Sequence, residues 1–122
     1  MDKPVEIQFD KEAYQEYREL QKAVAEGKIA KKKPTYEQLL YSINNTLKNI
    51  KSNPFYGNLI PRQYISKATM QRYGTDKIFR AELVGYWRLL YTIIGDEIKI
   101  IAFILEYMDH NKYNKIFGYR KR

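Results

Sequence analysis

"RAELVGYWRLLYTI", residues 80–93, decides how the chain is read. The stretch predicts a β-hairpin: one arm in "FRAELV" (79–84), a turn at Gly85–Tyr86, and a second arm in "WRLLYTII" (87–94). Successive residues of a strand point to opposite faces. Trp87, Leu89, Tyr91 and Ile93 therefore share one face, and Arg88, Leu90, Thr92 and Ile94 share the other. Arg88 is the anomaly, because it interrupts the most hydrophobic part of the chain. A buried guanidinium is costly unless it is paired, so Arg88 either points at water or belongs to a site.

Downstream, a tight turn at Gly95–Asp96 leads into "EIKIIAFILEY" (97–107), a strand apolar on both faces in its middle and so expected at the centre of a sheet. "DHNKYNKIFGYRKR" closes the chain with a polar turn, a helical turn and a basic tail. Upstream, residues 54–78 hold two prolines, two glycines and scattered basic residues, and read as a long loop with one short helix near Lys67–Tyr73. Before it, Thr35 and Gln38 form a capping-box pattern. Tyr36, Leu39, Leu40, Ile43, Leu47 and Ile50 then recur at helical spacing until Ser52, Asn53 and Pro54. Asp10 offers an N-cap to an earlier helix with an apolar stripe of Tyr14, Tyr17, Leu20 and Val24, stopped by Gly27. "VEIQF" (5–9) alternates as a half-buried strand does. The expected fold is α+β: an N-terminal strand, an αα-hairpin, then a three-stranded antiparallel meander forming one sheet with the helices on one face. The other face is expected to be partly open, with Arg88 projecting from it.

At 122 residues the chain reads as a single domain, 1–122, and 44% hydrophobic content supports a packed core. No apolar run reaches the ~18 residues of a membrane span. The N-terminus lacks the layout of a signal peptide, so a cytoplasmic location is expected. There is no cysteine and one histidine, so neither a disulfide scaffold nor a metal site or other cofactor is expected. The net charge is +8 and is unevenly spread. Residues 1–27 carry four Lys/Arg and seven Asp/Glu, a net of −3; residues 28–122 carry 18 and seven, a net of +11. Such asymmetry suggests a polyanionic partner, nucleic acid first, or serves solubility alone.

Cleaving RNA without a metal needs a base for the 2′-OH, cations for the phosphorane and an acid for the leaving 5′-oxygen. The strand ends and tail offer such a set. Arg88 and Arg80 suit a phosphate clamp. His110 is the only residue of the type that titrates near neutrality. Glu82 shares a strand face with Arg80 and is a candidate base. Tyr113 is a candidate for stacking on a nucleobase. Lys77, Arg62, Lys112 and Arg120 add positive charge for the RNA backbone, and "KKK" (31–33) either does the same or keeps the connection soluble. Plainer readings stand beside these: a surface pair of Arg80 with Glu82, a capping or surface role for His110, and Tyr113 as core beneath the tail. P-loop, G-x-S-x-G and H-E-x-x-H patterns are missing.

"YWRLLY", the apolar last strand and the following "DHNKY" together resemble the RelE/ParE superfamily of toxins from bacterial and archaeal toxin–antitoxin systems. The likeness spans nearly the whole chain. "NPFYG", with "IP" after it, is similar to the Pro-Phe-x-Gly stretch of YoeB-like members. The resemblance implies a RelE-like toxin, a ribosome-dependent endoribonuclease that cuts mRNA in the ribosomal A site. Its implied partners are mRNA, ribosomal RNA and an acidic, amphipathic protein antitoxin. ParE-like members instead inhibit DNA gyrase, and a non-cutting RNA- or antitoxin-binding module of the same fold is a further alternative. By resemblance, Arg88 is the arginine of the family's Arg-Leu-x-Tyr strand, which stabilises phosphate charge. Arg80 falls on a lysine of the preceding strand in RelE. Tyr113 resembles the tyrosine that stacks on the substrate base, and His110 a histidine found nearby in some members. Two positions depart from the pattern: Glu82 stands where RelE has a second lysine, and Arg62 where YoeB-like members have a glutamate base.

Overall fold

The computed structural model describes residues 3–118. Strand β1 (Val5–Phe9) leads into helix α1 (Lys11–Ala25), and α2 (Tyr36–Ser52) follows after a ten-residue connection. In the segment expected to be a loop with one short helix, that helix, α3 (Lys67–Tyr73), is present, and a two-residue strand, β2 (Asn58–Leu59), and a 3₁₀ turn at Arg62–Tyr64 precede it. Strands β3 (Phe79–Glu82), β4 (Arg88–Gly95) and β5 (Ile100–Met108) come next, and α4 (His110–Phe117) ends the described chain.

Local chemistry explains the helix ends. The Asp10 carboxylate accepts from the backbone N–H groups of Glu12 and Ala13, which have no partner inside α1. At α2 the capping box is complete: Thr35 Oγ1 accepts from the Gln38 N–H at 3.1 Å, and Gln38 Oε1 accepts from the Thr35 N–H at 2.9 Å. Asp109 caps α4 by accepting from the Lys112 N–H at 2.9 Å.

The sheet has five strands in the order β1-β5-β4-β3-β2. β5 is next to the edge, not at the centre; β4 is central. β3, β4 and β5 pair antiparallel as expected, but β2 extends the sheet at one edge and β1 pairs parallel with β5 at the other. Two turns also differ from expectation. The first lies at Gly85–Tyr86 as expected but begins earlier, ending β3 at Glu82, and its two central residues are left-handed. The β4–β5 connection is four residues long, because the Asp96 carboxylate accepts from the N–H groups of Ile98 and Lys99, each at 2.8 Å.

The larger correction concerns the second face of the sheet. On the first face α1 and α2 bring Leu20, Leu39, Ile43 and Ile50 against Leu89, Tyr91, Ala102 and Ile104. The second face is open only at its far end, where Ile94 is 50% exposed; around Arg88 and Leu90 it is covered. Ile60, Ile65 and Ile78 from the irregular segment, with Tyr113 and Phe117 of α4, close over Leu90, Leu105 and Met108. The sequence hid this cover because its apolar residues are spread over irregular backbone with no single period.

Gly57 fixes the start of that cover. Its N–H donates to the hydroxyl of Tyr91 at 2.8 Å, and that hydroxyl donates to the Pro54 carbonyl at 2.7 Å. A Cβ at position 57 would lie 2.8 Å from the Arg80 carbonyl oxygen and 3.0 Å from a Tyr91 ring carbon. Gly57→Ala is therefore expected to push β2 off β3 and lower stability by about 1–3 kcal/mol. An unchanged thermal midpoint would refute the close approach.

Candidate functional site

The register of the hairpin builds the site. Glu82 pairs across the strands with Arg88, and Arg80 pairs with Leu90, so all three polar side chains share the second face. Arg80 Nε lies 3.1 Å from Glu82 Oε2, and Arg88 Nε lies 3.2 Å from Glu82 Oε1. One carboxylate is thus gripped by two guanidinium groups. The Arg88 side chain is only 11% exposed and that of Glu82 is 54% exposed. Arg88 Nη1 also donates to the backbone carbonyl of Tyr86. The arginine inside the apolar strand is therefore paired, and it does not face open water as expected.

Tyr113 forms the floor. It is fully buried, packs against Phe117 at 4.7 Å between ring centroids, and its hydroxyl accepts from Arg80 Nη1 at 3.1 Å. The guanidinium carbons of Arg80 and Arg88 lie 5.7 and 5.2 Å from its ring centroid, within the range of cation–π attraction. The ring has no exposed face, so the structure places it as support for the arginines and not as a platform for a base. His110, the first residue of α4, is exposed; its ring centroid is 6.2 Å from that of Tyr86. Its Nε2 lies 3.1 Å from Nδ2 of Asn114.

The other basic candidates are not gathered with the arginines by any contact described. Arg62 is paired with Asp76 at 3.1 Å on the irregular segment. Lys77 is exposed just before β3. The Lys112 ammonium donates to Glu106. Arg120 lies outside the described residues.

Glu106 is the residue the sequence reading missed, although a carboxylate in the apolar run "IIAFILEYM" is the same kind of signal as Arg88. β5 carries one extra residue here, Leu105, between the pairs Leu90↔Glu106 and Tyr91↔Ile104, and such a bulge re-aims the neighbouring side chain. Glu106 accepts from the Tyr73 hydroxyl at 2.8 Å, from Arg72 Nη2 at 3.2 Å and from Lys112. It ties α3 and α4 to the sheet and so holds Tyr113 in place. Burial acts to raise its pKa, but the hydrogen bonds from Lys112 and Tyr73 and the charges of Lys112 and Arg72 outweigh burial and carry it below the ordinary carboxyl value. Burial and the bond to Glu106 push the Tyr73 phenol well above its ordinary value.

A carboxyl whose folded pKa is depressed contributes stability that is complete above its unfolded pKa and is lost as pH falls through the folded value. Glu106→Gln is expected to cost about 1–3 kcal/mol near neutral pH and to flatten the loss of stability on acidification. Urea midpoints at neutral and acid pH check this; equal slopes in wild type and variant would exclude Glu106 as the source.

No protein-family model and no curated protein sequence matches the chain. A solved structure does: a YoeB/ParE toxin from Agrobacterium tumefaciens, at 16% identity and a TM-score of 0.53, over 86% of this chain and 98% of that one. The chain has the fold of that toxin. No described helix is long and apolar enough to cross a membrane.

Proposed function

We propose that the protein is a RelE-like toxin of a type II toxin–antitoxin system, acting as a metal-independent endoribonuclease on mRNA in the ribosomal A site. The observation that carries this reading is the convergence of Arg80 and Arg88 on one carboxylate above a buried tyrosine. That geometry is a preformed seat for a tetrahedral anion, and the Glu82 carboxylate stands where phosphate oxygens would bind. A scissile phosphate displaces Glu82, whose side chain is half exposed, and takes its place between the arginines. Glu82 then takes the 2′-OH proton, the 2′-oxygen attacks phosphorus, and the bond to the 5′-oxygen breaks. His110 supplies the proton to that oxygen. The products are a 2′,3′-cyclic phosphate and a 5′-OH. The arginines hold the negative charge that grows on the phosphorane. The excess of positive charge in residues 28–122 favours approach to RNA and to an acidic antitoxin, and a cytoplasmic location fits both partners.

One observation favours a second reading. The arginine pair is already neutralised in part by Glu82, which suits a non-cutting RNA- or antitoxin-binding module. Primer extension on a reporter mRNA in a translating extract separates the two. Cuts within codons that appear only during translation support the nuclease. Intact mRNA sinks it, and leaves the binding module or, if supercoiling changes in cells, a gyrase inhibitor.

A further inference from the structure

Tyr113 is buried, so the arginine pair lacks the aromatic platform that the sequence led one to expect from α4. An exposed aromatic nevertheless stands at its rim. Tyr86 is 74% exposed and lies in the turn between β3 and β4, two residues before Arg88. Its backbone is in the left-handed region, φ 65°, where a bulky side chain is a genuine outlier. Such a conformation persists only where the surroundings enforce it.

Here they do. Gly85, also left-handed at φ 66°, sits so close to Pro34 that a Cβ would lie 2.9 Å from its Cδ. The Val84 N–H donates to Ser42 Oγ at 3.0 Å, the Leu83 N–H to the Trp87 carbonyl at 2.8 Å, and Arg88 to the Tyr86 carbonyl. The turn is thus clamped from α2, from the connection before it and from the site itself. The result holds a large ring out in solvent, where it gains almost nothing from burial, beside His110, with its own backbone carbonyl bonded to Arg88.

We infer that Tyr86 is the base-stacking residue of the site, receiving the nucleobase of a nucleotide whose phosphate is held by Arg80 and Arg88. This rests on the proposed reading of the arginine pair as a phosphate seat. The clamp on the turn fixes the ring relative to Arg88, so phosphate and base are read by one rigid unit. Stacking accepts any base, because every base offers a π face, so Tyr86 adds affinity for RNA without selecting a sequence by hydrogen bonds.

The test compares two probes at low salt: a short single-stranded oligoribonucleotide, and a ribose-phosphate chain of the same length without bases. Wild type is expected to prefer the base-bearing strand by about five- to a hundredfold. Tyr86→Asn should erase that preference while leaving affinity for the abasic chain unchanged. Asparagine tolerates the left-handed backbone, so this variant removes the ring without adding strain. Tyr86→Phe should keep the preference. Arg88→Ala should weaken binding of both probes alike. If Tyr86→Asn keeps the preference while Arg88→Ala weakens both probes, the inference falls and the phosphate reading stands; Tyr86 is then left for a protein partner. If Arg88→Ala weakens neither probe, or wild type binds neither, the phosphate seat falls and the inference with it.

Discussion

Truncating Tyr113 to alanine is expected to cost about 3–5 kcal/mol of stability and to dismantle the site in the same step. The ring is fully buried, shares the second core with Leu90, Met108 and Phe117, and lies beneath both guanidinium groups. Its loss leaves a cavity between α4 and the sheet, and the arginines lose the surface that orients them. Tyr113→Phe separates the two roles. It keeps the packing and removes the hydroxyl that accepts from Arg80, so the expected loss is about 1 kcal/mol with the core intact. Urea unfolding of both variants checks the pair. A Tyr113→Ala midpoint close to wild type would mean that α4 does not close the second face.

Under the proposed nuclease function, Arg88→Ala is expected to lower the rate of mRNA cutting by about a hundredfold or more, the effect of removing one preorganised donor to a charged transition state. Stability should change far less, because Glu82 keeps Arg80 as a partner and is itself half exposed. Arg88→Lys restores the charge but not the planar fork that reaches both Glu82 and the Tyr86 carbonyl, so only partial recovery is expected. Timed primer extension, with growth arrest on expression as a second readout, measures both variants. Wild-type arrest in Arg88→Ala would remove Arg88 from contact with substrate.

Elements with a strong local signal were legible in the sequence. β1 was bounded correctly by its alternation, α1 and α2 by stripes and caps, and the short α3 appeared where it was expected, at Lys67–Tyr73. Strand period alone put Arg80 and Glu82 on one face; that Arg88 joins them depends on the register of the hairpin. What the sequence concealed was non-local. Nothing near Val5 announces a parallel partner at Ile100. The cover of the second face depends on Ile60, Ile65 and Ile78 meeting Tyr113 and Phe117, residues with no shared period. That missing cover is why Arg88 was expected to face water and why Tyr113 was expected to be reachable. From sequence Tyr86 is a turn residue and no more, since its exposure and its backbone angle are properties of the folded turn.

The parallel pairing of β1 with β5 also sets the timetable of folding. Val5 precedes Ile100 by 95 residues, so the edge strand has no partner in β5 until that later strand has been made. Contacts this distant along the chain slow folding. α4, which brings Tyr113 and His110, follows β5 and is later still. The arginine pair therefore gains its floor only after β3, β4 and β5 have all been made.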